Sequence, residues 1–200
     1  MSNALILVDV QNDFLPGGTL AVARGDEVIA VANRLTREYP LVIATQDWHP
    51  ANHGSFAANH PGRQPYELAE LAGLPQVLWP VHCVQNTGGA LFAPGLDTRA
   101  IHRVFPKGTD PAIDSYSGFF DNGHRKSTGL GEFLKENGVT AVTVVGLATD
   151  YCVKYTALDA RALGFAVKLA QAGCRAVNLE PGDGAAAVEE MRRAGVTVAD

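Results

Sequence analysis

The chain has 200 residues, 46% of them apolar, and a formal net charge of −5 at neutral pH. That length suits a single domain, residues 1–200, with a sizeable core. No apolar run is long enough to span a membrane, and the absence of a basic cluster argues against a nucleic acid partner. The three cysteines, Cys83, Cys152 and Cys174, are odd in number and irregularly spaced, and the opening MSNALILVDV lacks the basic stretch of a secretion signal. Both features point to reduced thiols in a cytoplasm.

In chain order, Ala4–Asp9 is an apolar run ending in an acid and reads as a first strand. Asp26–Tyr39 has helical periodicity, with Val28, Val31, Ala32 and Leu35 on one side. Leu41–Thr45 is a second strand, Gln76–Trp79 a short extended piece, and His102–Phe105 a weaker third strand. Leu130–Asn137 is helical, with Gly138 as its stop. Thr140–Leu147 is the next strand and Tyr151–Leu163 the next helix. Phe165–Leu169, Gly184–Ala194 and Val196–Val198 read as strand, helix and closing strand. Strands this apolar, alternating with helices, imply a mostly parallel sheet covered on both faces. The stretch from Trp48 to Ala100 has no clean periodicity and is rich in Pro, Gly, His and aromatics, and a loop region that long usually serves function.

Chemistry-bearing residues follow each strand. Asp9 and Gln11-Asn12-Asp13-Phe14 follow the first, Gln46-Asp47-Trp48-His49 the second, Lys107 the third, and Ala148-Thr149-Asp150-Tyr151-Cys152 the fourth. In an open parallel sheet these positions share the carboxyl edge, where such folds bind ligands. Taken singly, Asp9 reads as a turn cap, Lys107 as a surface lysine and Cys152 as a small buried hydrophobe. Together they make an acyl-transfer set: a cysteine nucleophile at a helix start whose dipole favours thiolate, an acid as its base, and a lysine to hold negative charge. Cys83 and Cys174 lack that company and read as structural.

Asp47 and His49 are two apart on an extended segment and point the same way. His82, in "WPVHC", approaches from the long loop. One carboxylate and two imidazoles leave coordination positions open, as catalytic metal sites do, and the N/O donor set suits one divalent ion: zinc first, with iron or manganese as alternatives. His53 reads equally as a fourth ligand or as support within the loop. His60, His102 and His124 read as surface residues. Among the aromatics near these segments, Phe14 and Trp79 read as walls for a flat ring, Tyr116 lies close by, and Trp48 reads as core.

Five stretches, "LILVDVQNDFLPGGTLAV", "ATQDWHPANHGSFA", "LPQVLWPVHCVQNTGGALF", "VFPKGTDPAIDSYSGFFDN" and "VVGLATDYCVKYTALDA", recur in order along nearly the whole chain. In them the sequence resembles the nicotinamidase/pyrazinamidase branch of the isochorismatase-like cysteine hydrolases. The resemblance implies a three-layer α/β/α sandwich and an amidohydrolase that converts nicotinamide to nicotinic acid and ammonia in NAD salvage, and also accepts pyrazinamide. It implies a catalytic triad of Asp9, Lys107 and Cys152, and metal ligation by Asp47, His49 and His82. It further implies an oxyanion hole from the backbone N–H groups of Ala148 and Cys152 after a cis peptide, and ring contacts from Phe14, Trp79 and Tyr116. The expected assembly is a monomer or homodimer. One departure is Ala172, where members of the branch often carry an acid. Two other readings compete: a carbamoyl hydrolase working without metal, against which "DWH" and "PVHC" argue, and a sensing thiol protein in which Cys83 would resolve an oxidised Cys152.

Overall fold

The computed structural model describes residues 2–199. Its centre is a six-stranded sheet in the order β5-β2-β1-β6-β7-β8, built from β1 (Ser2–Val8), β2 (Leu41–Asp47), β5 (Arg103–Lys107), β6 (Val139–Leu147), β7 (Ala166–Arg175) and β8 (Thr197–Ala199). Every pairing in it is parallel. β1 and β6 carry the longest buried apolar runs because they lie in the middle, covered on both faces: Ile6 stands between Ile43 and Val144.

The four helices are α1 (Val28–Leu35), α2 (Leu130–Glu136), α3 (Lys154–Ala162) and α4 (Asp183–Arg193). From β1 the chain crosses to β2 on one side, whereas β5 to β6, β6 to β7 and β7 to β8 all step the other way. Right-handed crossovers then put α1 on one face and α2, α3 and α4 on the other, giving the three layers. The strand order reverses between β1 and β6, so the crevice of this fold opens where those two strands end.

Several elements differ from the sequence reading. α1 is shorter than Asp26–Tyr39: a 3-10 turn, Gly25–Glu27, precedes it, and beyond Leu35 the chain tightens to i→i−3 bonds at Arg37 and Glu38. Pro40 disfavours helical geometry in the residue before it, so the helix has to end there. β7 is twice the expected length. Its second half, hidden by the small residues Ala172 and Gly173, pairs Cys174 and Arg175 with Gly146 and Leu147 past a bulge in β7, which advances five residues where β6 advances two. Gly146 makes that irregularity possible: its φ is +130°, and a Cβ there would run into the Val8 backbone.

The extended piece at Gln76 belongs to β4 (Leu74–Val77), which pairs antiparallel with β3 (Leu68–Leu71) outside the main sheet. Ala72 and Gly73 form the turn, both with positive φ, as a two-residue hairpin with this twist requires. The rest of the long stretch is 3-10 turns held by isolated bridges, His49 to Val84 and Phe56 to Trp79 among them. Those bridges lay the loop that carries His82 across the end of β2. Among the described residues no helix is long and apolar enough to cross a membrane.

Candidate active site

Asp47 and Lys107 are the last residues of adjacent strands and are register partners, so their side chains leave the sheet side by side. Asp9 follows β1 with φ +48°, and Cys152 follows β6. These four side chains meet in one buried cluster. Lys107, only 2% exposed, ion-pairs with Asp47 Oδ1 and lies 2.9 Å from Asp9 Oδ2. It donates to the Ser115 carbonyl at 3.0 Å and to Cys152 Sγ at 3.3 Å. Thr45 donates to Asp9 Oδ1 at 2.7 Å. The other Asp9 oxygen makes its ion pair outside hydrogen-bond geometry and keeps an unused acceptor position. Gln11 clamps the Asp47 backbone from both sides, accepting its N–H and donating to its carbonyl, each at 2.8 Å.

Electrostatics assign the protons. Burial alone would discharge Lys107, but the Asp47 and Asp9 carboxylates outweigh it and hold the ammonium well above its ordinary range. Burial pushes Asp9 up; Lys107 opposes, and the Asp47 anion adds to the rise, so Asp9 is a stronger base than a surface aspartate. Burial also disfavours the Asp47 anion, yet the Lys107 ammonium foremost, and His49 after it, hold it far below the usual carboxylate range. Cys152 differs from the expectation drawn from its helix. Burial pushes the thiol well up, Lys107 pulls it back, and Asp9 and Asp47 push it up again. A helix dipole acts over one turn; burial first, and then the two carboxylates, work against it and favour the thiol form, with a base beside it.

Cys152 does not start an ordinary helix. Thr149–Val153 is a π turn leading into α3. The Ala148 carbonyl accepts from Tyr151 and Val153, each at 3.1 Å, passing over the Cys152 N–H that an α-helical bond would have used. The Leu147–Ala148 peptide is cis, as the resemblance implied.

Asp47 also faces a second group. Asp47, His49 and His82, all buried, bring ligand atoms within 4.8 Å of one another. His82 Nδ1 meets the Pro80 carbonyl at 2.8 Å. A carbonyl only accepts, so Nδ1 carries the hydrogen and Nε2 keeps its lone pair. That lone pair lies 3.6 Å from Asp47 Oδ2, too far for a hydrogen bond. Two buried electron pairs facing each other fit a cation held between them, and a backbone acceptor on the far nitrogen is the usual support for a ligating imidazole. His49 keeps a buried Nδ1 without a partner and sets Nε2 3.2 Å from Asp114 Oδ1. His53 adjoins this group through its edge-on contact with His49.

Phe14, Trp79, Tyr116, Ala148 and Cys152 line one cavity with Asp47 and His82. The empty space among these residues, counted out to its open mouth, is about 360 Å³. Leu20, Asp114, Tyr151 and Val177 also line it and were not singled out from the sequence. Tyr151 and Val177 had no readable signal, since packing across β6 and β7 brings them in. Asp114 had one, as an acid in the segment after Lys107. Trp79 donates to the Tyr116 hydroxyl at 3.1 Å and packs edge-on against Tyr151, so the aromatic walls hold each other.

The other candidates lie apart from this chemistry. His60 meets the Gly54 carbonyl, His102 accepts from Val42 N–H, and His124 pairs with Asp159. Burial, reinforced by the Asp47, Asp13 and Asp9 carboxylates, pushes the Cys83 thiol well up, a poor setting for a resolving thiolate. Burial pushes Cys174 to about 12, and its S–H donates to the Ala170 carbonyl. The Cys152 thiol is raised as well, but of the three only it has the Lys107 ammonium in contact to hold a thiolate and Asp9 beside it to take the proton, so iodoacetamide at mildly alkaline pH is expected to label the folded protein once, at Cys152, with Cys83 and Cys174 reacting only after denaturation. Peptide mass mapping reads this, and labelling of Cys83 or Cys174 in the folded chain would contradict it.

Residues 3–200 match the model of the isochorismatase domain family. The chain is 54% identical to a nicotinamidase of Escherichia coli (strain K12), over 98% of this chain and 93% of that relative. Among solved structures it is similar to a nicotinamidase/pyrazinamidase of Acinetobacter baumanii, with a TM-score of 0.96 and 47% identity over 98% of this chain and 95% of that one. It is also similar to a pyrazinamidase of Pyrococcus horikoshii in complex with zinc, with a TM-score of 0.81 and 38% identity over 100% of this chain and 99% of that one.

Proposed function

The chain belongs to the isochorismatase family, and from that premise we propose that it hydrolyses nicotinamide to nicotinic acid and ammonia through a thioester on Cys152. Pyrazinamide, a ring amide of the same shape, is a second substrate. The observation that carries this reading is the single buried cluster in which Lys107 touches Cys152, Asp9 and Asp47, with Asp47 reaching on to His82. One carboxylate joins the reacting thiol to the ring-holding group. The reading sets the work in the cytoplasm, by a monomer or homodimer, with nicotinic acid returning to NAD synthesis.

The substrate ring sits between Phe14, Trp79 and Tyr116, with its amide carbon at Cys152 Sγ. Asp9 takes the thiol proton as sulfur attacks, its basicity raised by burial. Lys107 stays charged and holds Asp9 and the developing thiolate in place. The N–H groups of Ala148 and Cys152 receive the oxyanion, each donor worth about 3 kcal/mol. Asp9 returns the proton to the leaving nitrogen, ammonia departs, and Asp9 then draws a proton from the water that cleaves the thioester. Asp47, His49 and His82 would hold one divalent ion, which would supply an anchor for the ring nitrogen and positive charge to offset the second carboxylate beside Cys152. Fixing the ring in that way turns a loose encounter into a set geometry.

The test is ammonia release from nicotinamide by the purified protein, before and after chelation. Turnover is expected in the metal-loaded form, loss on chelation, and recovery on adding back zinc, iron or manganese, with zinc the first to try. No ammonia from nicotinamide or pyrazinamide under any loading would overturn the activity. Full turnover in metal-free protein would remove the anchoring role alone.

A further inference from the structure

We infer that His53 is not a metal ligand but a hydrogen-bond donor, and that with Asp114 it is a positioning residue seating one water molecule beside the ion. The inference rests on Asp47, His49 and His82 holding that ion, as proposed above. His53, Asp114 and His49 bring ligand atoms within 4.8 Å of one another, a second triad that shares His49 with the first. All are buried. By spacing alone, His53 would pass for a further ligand.

Its hydrogen bonds say otherwise. The backbone N–H of Ser55 donates to His53 Nδ1 at 3.1 Å. An amide N–H can only donate, so Nδ1 gives up its lone pair there, and the Ser55 hydroxyl at 2.7 Å shares the same nitrogen. A neutral imidazole has one N–H, which must then be on Nε2. That atom is buried and lacks a partner in strict hydrogen-bond geometry, with the Ile113 backbone close to the imidazole. An N–H offers no electron pair to a metal. His82 has the reverse arrangement, a carbonyl on Nδ1 and a free pair on Nε2. Two histidines of one site thus present opposite chemistry, fixed by which backbone group each meets.

Asp114 supplies the complement. Its Oδ1 accepts the Ser115 N–H at 2.8 Å and its Oδ2 accepts from Gln76 at 3.1 Å. Oδ1 also faces His49 Nε2 at 3.2 Å, so it is Oδ2 that keeps capacity for another donor. A buried water needs two or more polar partners. Here one accepts from His53 and donates to Asp114, placed against His49 at the edge of the ion's shell.

X-ray absorption on the zinc-loaded wild-type protein tests this without any variant. Two nitrogen ligands are expected, from His49 and His82; three would overturn the inference while leaving the metal site intact. A protein that takes up no stoichiometric zinc would instead overturn the metal reading beneath it. Zinc affinity by chelator competition gives the second readout. His53→Ala and Asp114→Asn should each weaken binding about 10- to 100-fold, the usual effect of losing a group that supports ligands. His53→Gln, which keeps a donor, should recover most of that loss, and the double variant His53→Ala/Asp114→Asn should cost no more than the larger single one, since both residues hold one water. Additive losses, unchanged affinity in Asp114→Asn, or a nitrogen missing from the His53→Gln spectrum would overturn it.

Discussion

Cys152→Ala is expected to lower turnover of nicotinamide by about 10⁴-fold or more, because a nucleophile that forms the covalent intermediate has no substitute within reach. The change removes one buried sulfur. It leaves the ring-binding walls of Phe14, Trp79 and Tyr116 and the Asp47–His49–His82 group untouched. Nicotinic acid should therefore still bind, with a dissociation constant within a few-fold of wild type by calorimetry. The wild-type protein, acid-quenched during turnover, should show a mass adduct on the peptide that carries Cys152, and the variant none. The variant's residual rate separates the roles. The Ala148 and Cys152 N–H groups remain, so slow water attack aided by the oxyanion hole is the ceiling. Turnover within tenfold of wild type would show that sulfur is not the attacking atom.

Lys107→Met should damage stability as well as catalysis. The methionine fills much the same space but removes the only cation among the described residues that pairs with both Asp9 and Asp47. Removing one partner from a buried ion pair leaves the other charge uncompensated and costs about 3–5 kcal/mol. In a chain of this length each kcal/mol moves Tm by roughly 2–4 °C, so metal-free Lys107→Met should melt about 6–20 °C below wild type. The origin is checked by a second change. Lys107→Met/Asp9→Asn carries one stranded charge fewer and should be more stable than Lys107→Met alone, although Asp9→Asn by itself removes a partner of Lys107 and is destabilising. That sign reversal is the mark of coupled charges. Equal melting of Lys107→Met and wild type would mean that the three charges are better solvated than their burial implies.

Much of this protein was legible before any coordinates. Continuous Val, Ile and Leu in Ala4–Val8 and Val142–Leu147 required strands covered on both faces, and the apolar stripe of Val28, Val31, Ala32 and Leu35 required a helix, because burial is the term local sequence encodes most strongly. The placing of Asp9, Asp47, Lys107 and Cys152 just at or past strand ends was enough to gather them at one edge. The second half of β7 was not legible, since Ala172 and Gly173 carry no strand signal and the pairing resumes only past a bulge in β7. The hairpin of β3 and β4 was half seen, its turn hidden by an alanine at positive φ.

At the site, residue types told which groups take part, while the three-dimensional arrangement told their protonation and their wiring. Cys152 at a helix start reads as a thiolate until Asp9 and Asp47 are found beside it. Asp47 reads as a metal ligand alone until its other oxygen is found on Lys107 as well. His53 and His82 are the same letter, and only the backbone group opposite each Nδ1 tells donor from acceptor. The amino-acid order by itself settled the layered parallel sheet, its carboxyl-edge crevice and the roster of reactive side chains, because apolar periodicity and strand length are properties of short segments. Tertiary structure alone decided that Asp47 faces both Lys107 and His82, that the Cys152 thiol is pushed up and that Asp114 faces His53, because charge–charge energies and tautomers depend on distances between residues far apart in the chain.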